Sequence, residues 1–338
     1  MLRLPPFEFR AARTAEEAIE IWSESDGRAM YVAGGTDLIP NMKRRQFEPP
    51  VLVGIRRLEH GRHVETAPDG SLSIGAGATL RQLADDPGIV ANFAGLAEAV
   101  GQVANLQIQR VGTIGGNLCV DTRCNYYNQS YEWRRSIGFC MKKDGDICLV
   151  APGSSKCWAI SSSDSAPALM ALGASVELVG REGVRQIELG QLYQDDGIEY
   201  LTRRPDELLT RVLVPAPGIG QRSAYTKVRR RGSFDFPILG VGASLRLEDG
   251  LIRDARIVLG AAHTHPLMVD EASELLEGQE PNMELFKAVA EAAYRKATPL
   301  DNADLVYYWR KRVTRVHVRR TLARLCGVEA HQTSTTGC

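Results

Sequence analysis

The sequence has no long apolar run. None of its 338 residues belongs to a hydrophobic stretch long enough to span a bilayer, and the start, Met1 to Pro6, lacks the apolar core of a secretory signal. We therefore expect a cytoplasmic protein without a membrane segment. It has no net charge either, because 41 Lys and Arg residues balance 41 Asp and Glu residues. No strong field then attracts nucleic acid or an anionic membrane.

Common nucleotide and metal motifs are also missing. The Rossmann pattern G-x-G-x-x-G is absent, since the nearest stretch, Gly75 to Leu80, lacks the third glycine, and no glycine loop carries a Walker lysine. The paired C-x2-4-C knuckles of structural zinc sites and the C-x2-C-x2-C run of bacterial ferredoxins are absent too. No nucleophile elbow or Ser-His-Asp set is apparent.

Cysteine, by contrast, is concentrated in one segment. Five of the seven cysteines lie from Cys119 to Cys157, and the last four are spaced Cys124-x15-Cys140-x7-Cys148-x8-Cys157. Cytosolic thiols stay reduced, which disfavours disulfides and favours a metal or catalytic role. The spacing leaves two interpretations open, namely four thiolate ligands of one centre or reduced cysteines in a loop. The aromatic residues between them would shield a cluster or form the core of that loop.

Two glycine turns precede the cysteines. Gly34-Gly35 follows a predicted strand at 29–33 and leads into a helix that Thr36 is placed to cap, and Gly112 to Asn117 repeats this arrangement. Adjacent glycines let backbone N–H groups approach a phosphate closely. Either turn could be purely structural. Two in one domain favour a dinucleotide held outside a Rossmann fold, and FAD is the commonest such ligand.

Hydrophobic periodicity predicts the other elements. In the first part of the chain it indicates helices from Thr14, at 92–104 and at 165–172, and strands at 51–55, 72–77 and 175–179. Beyond a boundary near residue 215 it indicates strands at 223–230, 239–247 and 251–260, then helices at 267–277, 283–297 and 303–325. The last helix is predicted to carry Leu305, Trp309, Val313 and Val316 on one face. This order is typical of an α+β domain. Residues 119–160 have no period and are interpreted as a functional loop.

Isolated polar residues suggest further contacts. Asp164 precedes a helix, so it is either an N-cap or a carboxylate that accepts hydrogen bonds from a ribose or flavin. Lys227 is on a strand, where it either faces solvent or contacts a flavin carbonyl. His263 and His265 have no third ligand nearby in the sequence, which predicts no metal site. The run Arg229–Arg231 has no assigned role.

Several motifs, taken in order, resemble the FAD-binding subunits of molybdenum hydroxylases, the family of xanthine dehydrogenase and carbon monoxide dehydrogenase. These motifs are Ala33–Leu38, Thr113–Cys119, Asp164–Leu169, Tyr225–Lys227 and Asp235–Pro237. The resemblance implies an α+β protein with a two-lobed FAD-binding domain of the vanillyl-alcohol-oxidase type, its lobes at 1–57 and 58–217. It also implies an α+β C-terminal domain at 218–328, like that of the carbon monoxide dehydrogenase flavoprotein, and a disordered tail at 329–338. The implied flavin contacts are Tyr31, Val32, Ala33, Gly34, Gly35, Thr36, Asp37, Leu38, Thr113, Ile114, Gly115, Gly116, Asn117, Asp164 and Lys227.

The cysteine segment, an insertion at about 119–160, resembles that of the β subunits of 4-hydroxybenzoyl-CoA reductases. This resemblance implies a [4Fe-4S] cluster held by Cys124, Cys140, Cys148 and Cys157, with Cys119 excluded. The implied function is to pass electrons from ferredoxin through the cluster and FAD to partner subunits. Those partners are a small subunit with [2Fe-2S] clusters and a large subunit with molybdenum, where 4-hydroxybenzoyl-CoA is dehydroxylated to benzoyl-CoA. The implied assembly is a hetero-oligomer, a dimer of heterotrimers.

Two alternatives remain. The chain could be the FAD subunit of an aldehyde, xanthine or N-heterocycle hydroxylase, with electrons flowing outward from molybdenum to FAD and on to an acceptor. It could also be a zinc-stabilised binding module without enzymatic activity. Such a module would be colourless and would contain zinc.

Overall fold

The structure is a computed structural model that describes residues 2–329, so nearly all of the predicted tail lies outside the described residues. Its strands are β1 Glu8–Ala11, β2 Met30–Val32, β3 Val51–Gly54, β4 Val64–Thr66, β5 Leu72–Gly75, β6 Ser175–Gly180, β7 Gly183–Glu188, β8 Leu208–Val214, β9 Gln221–Val228, β10 Leu239–Glu248, β11 Leu251–Gly260 and β12 Leu267–Met268. Its α-helices are α1 Ala15–Glu24, α2 Leu38–Lys43, α3 Leu80–Asp85, α4 Pro87–Asn92, α5 Ala94–Gly101, α6 Leu106–Gln109, α7 Ile114–Leu118, α8 Tyr131–Ser136, α9 Ser165–Ala171, α10 Asp270–Leu276, α11 Met283–Lys296 and α12 Tyr307–Cys326.

The N-terminal part is a small parallel sheet with the strand order β1-β3-β2. Helix α1 begins where the sequence predicts, because the Thr14 hydroxyl accepts a hydrogen bond from the Glu17 N–H at 3.1 Å. Its buried face carries Ala18 and Ile21. Strand β2 ends at Val32, one residue before Gly34-Gly35, so the first glycine turn lies at one end of this sheet.

A second, antiparallel sheet has the order β4-β5-β8-β6-β7. Its buried face packs against α3, α5 and α9 in one large apolar core. The C-terminal sheet is an antiparallel meander in the order β12-β11-β10-β9, and α10, α11 and α12 cover one face of it. Helix α9 also packs on β10, where a side chain at Gly242 would overlap the backbone of Pro167. This close contact fixes Asp164, at the start of α9, against the C-terminal sheet.

Several predicted boundaries were wrong. Thr36 does not cap α2, which begins at Leu38 after Asp37 and has no side-chain cap. The predicted helix at 92–104 is the shorter α5, which is separated from the preceding α4 by a break at Phe93. The start of the predicted helix at 267–277 is strand β12, which pairs with β11. Within residues 119–160 a short helix, α8, interrupts the irregular chain.

The predicted apolar face of the last helix was only partly right, since Val313 packs against the C-terminal core. Leu305 precedes the helix, and Trp309 is 39 % exposed, whereas Arg310, Thr314 and Val318 are buried. Arg310 can be buried because its guanidinium donates to the carbonyl oxygens of Leu300 and Ala261 at 2.8 Å each. A hydrophobicity pattern cannot register a buried arginine whose N–H groups are satisfied by carbonyls. No helix among the described residues is both long and apolar enough to cross a bilayer.

Candidate functional site

A cavity of about 990 Å³ lies where the two lobes meet the C-terminal domain. Its volume is at the upper end of the range for small-molecule sites, which is the size that a dinucleotide requires. Every residue implied as a flavin contact lines this cavity except Ile114 and Lys227. The sequence motifs therefore converge on one cavity, although they are more than a hundred residues apart in the chain. Their individual contacts with a flavin remain predictions.

The first glycine turn presents free hydrogen-bond donors to the cavity. The backbone N–H groups of residues 34–37 have no acceptor among the described residues, and all four residues line the cavity wall. Gly35 has φ +70°, a conformation that side chains other than glycine rarely adopt. A run of unpaired N–H groups around such a turn makes an anion-binding concavity. The turn therefore fits a pyrophosphate.

The second glycine turn supports the first. A side chain at Gly34 would overlap the carbonyl oxygen of Val111, so the two turns are in backbone contact. The N–H groups of Ile114 and Gly115 are already used, since they donate to the carbonyl oxygens of Ala78 and Ala76 at 3.0 and 2.9 Å. The geometry thus favours the first turn as the hydrogen-bond donor to phosphate, with the second turn packed against it as structural support.

The side chain of Asn117 ends this second turn. Its Oδ1 accepts hydrogen bonds from the hydroxyls of Ser163 and Ser165, at 3.0 and 2.6 Å. These bonds tie the turn to the start of α9. Asn117 therefore positions Asp164, the residue between the two serines, as well as lining the cavity.

Asp164 and Lys227 form a buried ion pair. Asp164 Oδ2 accepts from Lys227 Nζ at 2.8 Å, and its Oδ1 accepts from the Tyr225 hydroxyl at 2.7 Å. Lys227 Nζ also donates to the carbonyl oxygen of Gln102 at 3.0 Å. Burial raises the pKa of Asp164, and the ammonium of Lys227 opposes that shift. The Asp164 side chain does not cap α9, and Lys227 is shielded from the cavity behind Asp164.

Arg123 also lines the cavity, and no sequence motif assigned it a role. Arg123 forms an ion pair with Asp37 at 2.5 Å, and its guanidinium stacks 3.8 Å from the ring centroid of Phe236. Burial raises the pKa of Asp37, and Arg123 counteracts this. The only sequence signal was that Arg123 precedes Cys124.

The Arg229–Arg231 run is partly explained, because Arg231 forms an ion pair with Asp235, the residue before Phe236.

The four cysteines with the quoted spacing line one small second cavity. All four are buried, and the cysteines that the structure describes form no disulfide. Burial raises the pKa of Cys124 to about 12 and that of Cys157 to about 11. These thiols would therefore release protons on binding a metal. Backbone N–H groups already point at the sulfurs, as from Ala159 to Cys157 Sγ at 3.4 Å.

The cysteine sulfurs that the structure describes are not gathered into the tetrahedron that a single zinc ion requires. Four thiolates on one zinc ion would lie about 3.8 Å apart, because each Zn–S bond in the tetrahedron is about 2.3 Å. In the part of the chain that the structure describes, no three cysteine sulfurs come within 4.8 Å of one another.

The cysteine segment is fastened to its surroundings on three sides. Arg134 is buried and donates to the carbonyl oxygens of Arg44 and Arg45 at 3.1 and 3.2 Å. The N–H of Asn125 donates to the carbonyl oxygen of Asn302 at 2.9 Å, which joins the segment to the C-terminal domain. The N–H of Gly197 donates to the carbonyl oxygen of Cys157 at 2.9 Å. The irregular chain is therefore held in place by contacts rather than by periodic structure.

Lys142 connects the cysteine cavity to the larger one. Its Nζ donates to Asp121 Oδ1 at 2.8 Å and to the Thr122 hydroxyl and the Gly197 carbonyl oxygen at 2.6 Å each. Lys142 lines the cysteine cavity and Asp121 lines the larger one. Likewise, Cys124 lines the cysteine cavity and its neighbour Arg123 lines the larger one. Since consecutive Cα atoms are about 3.8 Å apart, the two cavities are separated by little more than one strand of backbone.

Comparisons with known proteins agree with this geometry. Residues 5–217 match the family described as the FAD-binding domain in molybdopterin dehydrogenase, and residues 223–325 match the CO dehydrogenase flavoprotein C-terminal domain. The chain is 31 % identical over 285 residues to the aldehyde oxidoreductase FAD-binding subunit of Escherichia coli, which covers 81 % of this chain and 87 % of that one. It is 28 % identical to the carbon monoxide dehydrogenase medium chain of Afipia carboxidovorans, covering 94 % and 96 %.

A solved structure supports the fold. The carbon monoxide dehydrogenase of Hydrogenophaga pseudoflava that lacks the Mo-pyranopterin moiety contains a chain that superimposes with a TM-score of 0.80 at 22 % identity. The alignment covers 97 % of this chain and 100 % of that one. An FAD-binding domain followed by a C-terminal domain of the carbon monoxide dehydrogenase type is therefore confirmed.

Proposed function

This chain belongs to the FAD-binding medium subunits of the molybdenum hydroxylase family, and we propose that it carries a [4Fe-4S] cluster in addition to FAD. It is thus an oxidoreductase subunit. The names of the relatives described above mention no cluster in this subunit, so the proposal rests on this chain's own cysteines. The observation that supports it is four buried cysteines around one cavity, with Cys124 next in sequence to a residue of the FAD cavity.

The residues divide the work of holding two cofactors. Cys124, Cys140, Cys148 and Cys157 would ligate the cluster, and the first glycine turn would hold the pyrophosphate of FAD. When bound, the two groups would accept and pass on electrons. The protein's own contribution is burial, which excludes water, together with N–H groups and the Lys142 ammonium, which favour negative charge on the cluster side.

We further propose that the complete enzyme is a 4-hydroxybenzoyl-CoA reductase. In that assembly a partner subunit with molybdenum would dehydroxylate the substrate, and a small subunit with [2Fe-2S] clusters would connect it to this chain. A ferredoxin would be the electron donor at the [4Fe-4S] cluster. The support is the resemblance of the cysteine segment to that of the reductase β subunits. The alternative, an aldehyde, xanthine or N-heterocycle hydroxylase with outward electron flow, fits the relatives equally well.

The cluster is tested by substituting one ligand. Cys148→Ser should lose the iron–sulfur absorption and most of the iron while keeping FAD, because the flavin cavity does not include Cys148. Cys119→Ser is the matched control, since Cys119 is an excluded neighbour that lines the flavin cavity instead. Iron content unchanged in Cys148→Ser, or lost equally in both variants, would refute the ligand assignment.

The substrate is tested on the purified complex. With 4-hydroxybenzoyl-CoA and a low-potential electron donor, the complex should form benzoyl-CoA. No benzoyl-CoA, together with oxidation of an aldehyde or an N-heterocycle, would favour the alternative instead. Either outcome leaves the cluster proposal intact, because that proposal is decided by iron content.

A further inference from the structure

Three ligand-type side chains converge on one point that none of the roles above uses. Asp195, His263 and His265 each offer one ligand atom, and these atoms all lie within 4.8 Å of one another. The two Nδ1 atoms lie 3.3 and 3.8 Å from Asp195 Oδ1. In the part of the chain that the structure describes, this is the one cluster of three such ligand atoms.

The sequence brings these ligands together only through the fold. His263 and His265 lie in the loop after β11, in the C-terminal domain, while Asp195 lies in the loop before β8. The pair lacked a third ligand in the sequence because Asp195 is 68 residues before His263. The Thr264 hydroxyl, between the histidines, donates to Asp195 Oδ1 at 2.6 Å and fixes the two loops against each other. Its oxygen also lies 2.9 and 3.2 Å from the Nδ1 atoms of His263 and His265, so it must turn aside or join the coordination when an ion binds.

We propose that Asp195, His263 and His265 bind one divalent transition-metal ion, with Zn²⁺ the first candidate. Two imidazoles and one carboxylate are a ligand set that zinc and its neighbours in the first transition series accept, and a water molecule would complete the coordination. The histidines are partly buried, with side chains 11 % and 26 % exposed, so the ion would remain accessible from solvent.

The surroundings orient the ligands and limit the affinity. Lys156 forms an ion pair with the other oxygen, Asp195 Oδ2, which holds the carboxylate with Oδ1 toward the histidines. The same ammonium also repels a cation. The ring of Trp158 packs beside His263, with the centroids 5.2 Å apart. We therefore expect a single site of moderate affinity, weaker than a closed site of four protein ligands.

The position of this site gives it a structural consequence. Lys156 and Trp158 flank Cys157, and Gly197, two residues after Asp195, is hydrogen-bonded to Cys157. A bound ion would join the C-terminal domain to the loops that hold this cysteine. The inference does not depend on whether the cysteines bind a cluster.

The test is zinc binding by the full chain in its FAD-loaded form. After removal of free metal by chelation and gel filtration, Zn²⁺ should bind at about one ion per chain. Zinc X-ray absorption should show nitrogen and oxygen ligands at about 2.0–2.1 Å and no sulfur at about 2.3 Å. A sulfur shell would overturn this proposal, and by placing zinc on the cysteines it would contradict the cluster as well.

A matched pair of variants locates the site. His263→Gln/His265→Gln should weaken zinc binding at least tenfold, whereas His60→Gln/His63→Gln should not. His60 and His63 are a second pair of adjacent rings, with centroids also 4.8 Å apart, but no carboxylate among residues 2–329 completes a group of three with them. Asp195→Asn provides an independent variant with the same shape, should the double histidine variant fail to fold. Wild-type affinity in both Asp195→Asn and the histidine variant would overturn the assignment.

Discussion

Asp164 and Lys227 show that the sequence can indicate a functional residue without indicating which residue it pairs with. Both were predicted from the sequence to contact the flavin, one at a ribose or ring edge and the other at a ring carbonyl. The structure pairs them with each other. They are 63 residues apart, and only the packing of α9 on the C-terminal sheet brings them together. A residue's chemical type was therefore predictable from the sequence, but its partner was not.

Breaking this buried pair should destabilise the protein strongly. Asp164→Asn leaves the Lys227 ammonium buried without its counter-charge, which costs roughly 3–5 kcal/mol. Thermal unfolding should show a Tm lower by roughly 5–10 °C. The control is Glu284→Gln, which breaks the exposed pair of Glu284 with Lys287 and should change stability by less than about 0.5 kcal/mol. Equal shifts in the two variants would contradict the structural importance of the buried pair.

Lys142 and Lys143 are adjacent lysines with different environments. The Lys142 side chain is 6 % exposed and borders the cysteine cavity, whereas that of Lys143 is 39 % exposed. Lys142→Met removes a buried positive charge, so it should lower the cluster's reduction potential by tens of millivolts, on the order expected for one nearby charge. Lys143→Met should leave the potential nearly unchanged. Spectroelectrochemical titration of the two variants measures the difference, and a potential unaffected by Lys142→Met would refute the role of this ammonium.

Among the structural elements, the two glycine turns were predictable, but which of them has N–H groups available to a ligand was not. The sequence shows two similar strand–glycine–helix segments. In the part of the chain that the structure describes, the N–H groups of the first turn have no acceptor, while those of Ile114 and Gly115 in the second are already bonded. Backbone hydrogen bonding depends on which segment pairs with Ala76 and Ala78, and no local sequence signal carries that information.

Substitution of Gly34 tests this arrangement. Gly34→Ala places a methyl group against the carbonyl oxygen of Val111, a backbone atom that cannot move without displacing the second turn. We expect most of the flavin to be lost, as measured by the ratio of flavin to protein absorbance after gel filtration. The control, Gly153→Ala, adds a methyl group where no atom lies within 4 Å and should retain FAD. A fully flavinated Gly34→Ala protein would contradict the proposed cradle.

At the scale of the whole molecule, the order of domains was predictable because each motif belongs to a recognisable family. The placement of the irregular insertion was not. Its position is fixed by buried Arg134, by Lys142 and by the contact of Asn125 with Asn302, none of which follows a period. For the same reason the sequence did not show that Asp195 lies beside His263 and His265. The domain boundaries at residues 57 and 217 remain predictions.

We propose above that this FAD subunit also holds a [4Fe-4S] cluster. The most direct measurement is the iron, acid-labile sulfide, zinc and flavin content of the full chain purified without oxygen, together with its visible spectrum. We expect about four iron atoms and four sulfides per FAD, with absorption that bleaches on reduction. A yellow protein with FAD but without iron and sulfide would contradict it.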